Sequence, residues 1–456
     1  MKNTLLILTV FLLAFLVLPT FLIAADDSAD YVVVVSEETA QDAAWSEVVD
    51  ALVEKHDAQL LTYDPETLVE DVLPALRSTF PRYACFVAKP EDAGKDFVAS
   101  VHQLTRQLDD DPYADLFWGV LSGYDADAAM LIVNETEPLV VENVLSATDV
   151  ELSMFTEGVC YDELVAGHST IKTPGEDPET QTVPTDTTKL LVDGLNGDAD
   201  LFITSGHATE SNWMIGFRYR NGFFVCNEGT IYGRDTEQEL FPVDSDHARV
   251  FLPIGNCLMG HINGPDCMAL AYMRSAGIRQ MIGYTVPTWF GYAGWGVLDY
   301  YIEQPGRYTL TEAFFANHQA LIHKLDSLEE SDPSYRGMLH DRDVVGMYGD
   351  PAWSAKLADN PNRAWEQVLL TDGNQYTLIV QPNLGEATFE PINVNGSQRG
   401  GRPIIHWLPN RVENVEITKG AELDPVVTDN FILIPNPGTC DPEKDYGITF
   451  TADLIE

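Results

Sequence analysis

The sequence predicts an α/β protein, with a largely parallel sheet in two lobes flanked by helices and an all-β sandwich at the C-terminal end. Three observations predict it. From residue 30 to about 360, short β-branched runs alternate with amphipathic helical patterns, the arrangement of βαβ units around a parallel sheet. Past about residue 366 the helical patterns cease, and apolar strands alternate with Gly, Pro and Asn turns, as in a small sandwich. At 456 residues the chain also exceeds what a single core holds.

The opening stretch MKNTLLILTVFLLAFLVLPTFLIAADDSAD sets Lys2 before an apolar run, then small residues, then acids. It reads as a secretory signal over 1–25, cut near Ala24 or Ala25. The run is long enough, despite Pro19, that an uncleaved anchor stays open. The expected destination is outside the cytoplasm: secreted, periplasmic or at the cell surface, with no stable membrane association once the signal is removed.

The first lobe is expected over 26–166. DYVVVVS is a near-continuous β-branched strand of the kind buried on both faces. AAWSEVVDALVEKH is a helix, AQLLTYD a strand, PETLVEDVLPALRS a helix, YACFVA a strand and KDFVASVHQLTRQL a helix. GHSTIKTPGEDPETQTVPT, rich in Pro, Thr and acid, reads as an exposed linker over 167–185. The second lobe, 186–362, resumes the alternation. TDTTKLLVDGLN is a capped helix, DADLFITS and HARVFLPIGN are strands, PDCMALAYMRSAG is a helix, RQMIGYT a strand and AGWGVLDYYIE a helix. TEAFFANHQALIHKL reads as an amphipathic helix with His318 and His323 at its surface or boundary. In the final unit, 363–456, YTLIVQPN, EATFEPINV, RPIIHWL, VENVEIT and NFILIPN read as strands.

Composition excludes several functions. Twenty-six basic against 71 acidic residues leave a net charge of −45, which repels nucleic acid and anionic lipid. The acidity reads first as a solvated shell, with structural calcium left open. No cofactor is required: glycine-rich phosphate loops are absent, and GYAGWG lacks the dinucleotide spacing. Six cysteines, at 85, 160, 226, 257, 267 and 440, include no CxxC pair, so they read as one or two bridges at most.

Two strands of the second lobe end in residues suited to covalent catalysis. DADLFITSGH delivers His207 and HARVFLPIGNC delivers Cys257. In an open parallel sheet the carboxyl ends of neighbouring strands form the crevice where ligands bind. If the two strands are neighbours, an imidazole and a thiol face one another there, and the pair lowers the cysteine pKa and makes it a nucleophile. A metal reading is weaker. His261 and Cys267 could join the pair around zinc, but Gly260, Gly264 and Pro265 make that segment a loop, so no metal site is assigned.

These motifs resemble those of the gingipain-type cysteine peptidases, relatives of the caspase-like fold. Gly206, His207, Ala208 and Thr209 lead at the family's spacing to Trp213. Cys257 ends an apolar strand ten residues before Cys267 in GPDCMALAYMR. Trp289 in TVPTWFGYAGWG follows the next strand, and MYGDPAW (347–353) closes the lobe before an immunoglobulin-like β domain. The resemblance spans roughly 30–450 in architecture. It implies that His207 is the general base and acid, that Cys257 is the nucleophile, and that the N–H groups of Ala208 and Cys257 form the oxyanion hole. It also implies that Trp213 and Trp289 line the substrate pocket. For the carboxylate that orients the histidine, the candidates are Asp149 and Glu151; Asp162 and Glu163 lie near the position of a specificity acid. The expected activity is a secreted cysteine endopeptidase acting on protein or peptide substrates. A catalytically inactive relative, serving as an adhesion or surface-assembly module, is the rival reading.

Overall fold

The computed structural model describes residues 30–441 and 443–455, and the expected secretory segment at 1–25 lies outside the described residues. Twelve strands form one mixed sheet. They are β1 (Tyr31–Ser36), β2 (Gln59–Tyr63), β3 (Tyr83–Val87), β4 (Phe117–Leu121), β5 (Asn143–Ser146), β6 (Glu157–Tyr161), β7 (His168–Lys172), β8 (Glu179–Thr182), β9 (Leu201–Thr204), β10 (Arg249–Pro253), β11 (Ile278–Tyr284) and β12 (Val345–Gly349). Their spatial order is β2-β1-β3-β4-β12-β11-β10-β9-β5-β6-β7-β8. β2, β1, β3, β4 and β12 run parallel, as do β11, β10, β9, β5 and β6 among themselves. The two blocks meet where β11 pairs antiparallel with β12. The strands do not divide at the expected lobe boundary: β5 and β6 from the first lobe continue the block of β9, β10 and β11, and β12 from the second lobe joins β1 to β4, all in one continuous sheet.

The expected linker over 167–185 is instead built into this sheet. β7 pairs antiparallel with β6, and β8 with β7. The β-branched residues of HSTIK and ETQT favour the extended chain over a free loop, and β8 is exposed throughout, its polar surface blunting the sheet edge.

Local signals explain most elements. All six positions of β1 are buried, as a run of four valines demands of a strand covered on both faces. The helix Ala43–His56 opens where the Asp42 carboxylate accepts from the Ala44 and Trp45 N–H groups, and closes at Asp57 in the left-handed region. The helix Leu310–Ser327 opens on a capping box between Thr309 and Glu312. Of its histidines, His323 is half-buried, as expected, whereas His318 is buried because it packs on the helix Lys95–Thr105, at whose end Arg106 lies 3.4 Å from its Nε2. His102 packs beside it, ring centroids 4.9 Å apart.

The Gly-Asp-Pro motif is a buried staple. Asp350 accepts from the Tyr31 hydroxyl at 2.8 Å and lies 2.7 Å from His56 Nε2 and 2.9 Å from Lys55 Nζ. It thus ties β1 and the following helix to the end of β12.

A four-stranded antiparallel sheet, absent from the sequence-based expectation, is inserted between β9 and β10. Its strands are Asn212–Met214, Phe223–Asn227, Thr230–Arg234 and Leu240–Pro242. The C-terminal unit is the expected sandwich. Trp365–Asp372, Gln375–Pro382, Ile448–Leu454 and Val412–Lys419 form one sheet; Ile404–Trp407, Phe431–Ile434 and Val426–Val427 form the other. Tyr376, Leu378, Ile432, Ile434 and Phe450 fill the space between them. EATFEPINV is no strand. A short turn at Gly385–Ala387 is followed by irregular chain, since Pro391 has no N–H to offer a ladder and the next two N–H groups bond to Glu303.

Candidate active site

β9 and β10 are parallel neighbours, with Leu201 opposite Val250, Phe202 opposite Phe251 and Thr204 opposite Pro253. Both chains therefore leave the sheet at the same edge, one through Ser205 and Gly206 to His207, the other through Ile254, Gly255 and Asn256 to Cys257. Gly206 turns the first chain at φ 90°, a conformation that costs little only without a Cβ. Leu258 turns the second at φ 58°. For a bulky residue this is strained backbone, of the kind that gathers at functional sites.

Asn256 ties the two ends together. Its buried side chain accepts from Thr204 Oγ1 at 2.6 Å and donates through Nδ2 to the Gly206 carbonyl at 3.0 Å. The amide thus spans the gap between the histidine-bearing and cysteine-bearing turns. Nothing in the motifs singled it out; its signal was its place, a lone polar amide directly before Cys257 at the end of a buried strand.

Cys257 is half-buried. The Thr288 N–H donates to its sulfur at 3.2 Å, and the Thr288 carbonyl lies 3.7 Å away. A thiol can donate to the carbonyl, while a thiolate keeps the N–H, and a charged acceptor makes that bond stronger. The adjoining Trp289 is 59% exposed and lies against His340 at 5.3 Å, so its ring is open to a ligand beside the sulfur. The His207 imidazole is exposed and lies against Phe217, with ring centroids 5.0 Å apart.

Ala208 pairs with Trp213 in an isolated bridge and does not take a positive φ, so the alanine carries no conformational cost there. Among the described residues, neither the Ala208 nor the Cys257 N–H donates to an acceptor within the chain. Each of the two turns thus carries an N–H group without an acceptor in the chain, the kind of donor an oxyanion hole uses.

Trp213 does not sit as a pocket wall. It is 1% exposed, its indole N–H donates to the Ser205 carbonyl at 2.8 Å, and its ring packs on Phe202 and Phe224. An indole so buried braces the histidine turn from beneath. Asp149 and Glu151 are not at the imidazole either. The Asp149 carboxylate accepts from Asn393 at 3.2 Å, and Glu151 caps a short turn by accepting from Ser153 N–H. The histidines with a carboxylate within 4.0 Å are His56 and His247, and no carboxylate among the described residues comes that near to His207.

Glu163 is the carboxylate built into the turn. It is 9% exposed and accepts from Thr148 Oγ1 at 2.7 Å and from Ser205 Oγ. Burial raises its pKa, opposed by these two hydroxyls. Its carbonyl accepts from the Phe217 N–H at 2.7 Å. Asp162 instead closes its own loop, accepting from Leu164 N–H at 2.7 Å.

No three of His207, Cys257, His261 and Cys267 converge as ligands among the described residues; the carboxylates that do converge are Asp109, Asp111 and Asp429. Arg411 already pairs with Asp429. All six cysteines are unpaired. No helix among the described residues is long and apolar enough to cross a membrane.

No family model and no curated protein matches the chain. Two solved structures are similar in fold. The Arg-specific cysteine proteinase gingipain R aligns at a TM-score of 0.47 and 11% identity, over 95% of this chain and 99% of that one. A complex of the pro- and mature domains of RgpB from Porphyromonas gingivalis aligns at 0.45 and 11% identity, over 94% and 100%. Both are likenesses of overall fold between chains with little sequence in common.

Proposed function

We infer that the protein is a cysteine peptidase, with Cys257 as nucleophile and His207 as general base and acid. The observation that carries the reading is the parallel pairing of β9 with β10, cross-tied by Asn256. That pairing brings the thiol-bearing and imidazole-bearing turns to one sheet edge, each with an unused N–H group. His207 takes the thiol proton, and the thiolate adds to the scissile carbonyl. The resulting oxyanion is held by the Ala208 and Cys257 N–H groups. The intermediate collapses as His207 protonates the leaving amine, giving a thioester and the first product. Water, deprotonated by His207, then adds to the thioester, and collapse returns the free thiol and a carboxylic acid.

The order of the His207–Trp213, Cys257–Cys267, Trp289 and Gly-Asp-Pro motifs supports peptides as the acyl donors. The acidic composition and the apolar opening segment support an extracytoplasmic location. Mass spectrometry after exposure to an electrophilic peptidyl probe tests the chemistry. An activated dyad labels Cys257 rapidly, and Cys257→Ala abolishes hydrolysis of a diverse peptide library. Labelling no faster than that of a free thiol would instead support the inactive adhesion module, a reading favoured by the lack of a carboxylate within 4.0 Å of His207 among the described residues.

A further inference from the structure

Residues 391–402, PINVNGSQRGGR, leave the sandwich and close over the helix Tyr292–Tyr301. The clasp is deeply set. Arg399 is buried against Asp299 at 2.5 Å and against Glu303. Arg402 stacks on Tyr292, 3.7 Å from the ring centre. Gly396 takes φ 104°, and a Cβ there would meet the Trp295 ring at 2.2 Å. Trp295 in turn borders the Gly255 backbone, where a Cβ would meet Nε1 at 2.9 Å. The strap therefore packs on a tryptophan that borders the turn leading to Cys257.

Asn395 extends from this clasp to the histidine side. Its Nδ2 donates to Thr148 Oγ1 at 3.1 Å and to the Asp149 carbonyl at 3.1 Å. Asn393 donates to the Asp149 carboxylate at 3.2 Å. The Thr148 hydroxyl has one proton, and it goes to Glu163 Oε1 at 2.7 Å. The other Glu163 oxygen accepts from Ser205, two residues before His207. The Glu163 carbonyl accepts from Phe217 N–H, whose ring borders the imidazole. Glu163 thus holds His207 from two sides, and the strap fixes the hydroxyl that holds Glu163.

We propose that the strap is part of the catalytic apparatus, with Asn395 a positioning residue that holds the His207 turn through Thr148, Glu163 and Ser205. The proposal rests on the reading of His207 and Cys257 as a working dyad. Were the strap merely glue between domains, its arginine clasp would suffice, and the amide on Thr148 would do nothing for the thiol.

The test uses the full-length chain and compares wild type with Asn395→Ala, Thr148→Val, Thr148→Ser and the double variant N395A/T148V. Alkylation by iodoacetamide is followed against pH on the Cys257 peptide by mass spectrometry, alongside kcat and KM for a cleavable peptide. Asn395→Ala and Thr148→Val should each slow neutral-pH alkylation and lower kcat by about tenfold, with KM within about twofold. The double variant should be no worse than either single one, and Thr148→Ser should keep wild-type behaviour. A wild-type pH profile in Asn395→Ala, or losses that multiply in the double variant, would overturn the proposal while leaving the dyad standing. If wild-type Cys257 itself alkylates no faster than a free thiol, the dyad reading fails, and the proposal fails with it.

Discussion

Replacing Asp350 by asparagine should cost about 2 kcal/mol at neutral pH, and the loss should fade in acid. The carboxylate is fully buried, yet its pKa is held at about 2 rather than 3.8, because the hydrogen bond and charge of His56, with Lys55 beside it, outweigh the cost of burial. A carboxyl whose folded pKa lies below its unfolded one stabilises the fold above the unfolded value, and that contribution is lost as pH falls through the folded value. The gap between 3.8 and about 2 corresponds to about 2 kcal/mol, fully present from about pH 5 upward. Asparagine keeps the shape and can still accept from the Tyr31 hydroxyl, so the charge is what the substitution removes. Urea unfolding, which leaves ion pairs unscreened, should show the variant less stable by that amount at pH 7, with the two proteins converging between pH 4 and pH 2. A difference under about 0.5 kcal/mol at pH 7, or one that does not vary with pH, would refute the account of the motif as an ionic staple.

Gly206→Ala should cost about 1–2 kcal/mol through backbone strain alone, since the new Cβ would meet nothing nearer than Phe217 at 3.8 Å; urea unfolding measures it. Asn256→Ala should destabilise by about 1–3 kcal/mol and lower kcat more than it raises KM, and Asn256→Asp, which turns a donor into an acceptor against the Gly206 carbonyl, should fare no better in the same steady-state assay. Burial holds His102 down to about 4 and His318 well below its ordinary value. The unfolded chain therefore takes up protons below about pH 6.5 that the folded chain refuses, and about 3 kcal/mol from His102 alone should be lost as pH falls to about 4. In His102→Gln this acid sensitivity, read from urea midpoints at pH 7 and 4.5, should shrink.

Much of the fold was legible because its elements are specified locally. Four valines in a row bury a strand whatever surrounds it, and Asp42 caps its helix using its own neighbours. The errors fall where distant chain decides. HSTIK and ETQT sit in a Pro- and acid-rich stretch that reads as loop, but the exposed edge of β6 supplied the partner that made them strands. The hairpin turn at Glu228–Gly229 takes positive φ at both residues without the Asn-Gly or Asp-Gly pair that usually announces such a turn, so the inserted sheet escaped notice. His318 reads as surface on its own helix, and only the distant helix Lys95–Thr105, with His102 and Arg106, buries it.

The site divides in the same way. His207 and Cys257 are legible because each ends an apolar strand, and a parallel sheet brings such ends to one edge. What holds them there is not legible, because it is a web of single polar side chains from five separate segments: Thr148, Glu163, Ser205, Asn256 and Asn395. Each looks like an ordinary polar residue in its own sequence, and burial is what makes the first four consequential. A hydroxyl, carboxylate or amide sealed from water must find its partner or pay for its lack, so once the fold closes around these four they have little freedom left, and half-buried Asn395 reaches in to one of them. EATFEPINV makes the point most sharply. Alternating apolar residues make it look like one more sandwich strand, but Glu303, just past the end of a remote helix, claims two of its N–H groups and draws the chain down onto the α/β domain. The residue that reaches Thr148 from there is four positions beyond Pro391, in a stretch whose conformation no local pattern determines.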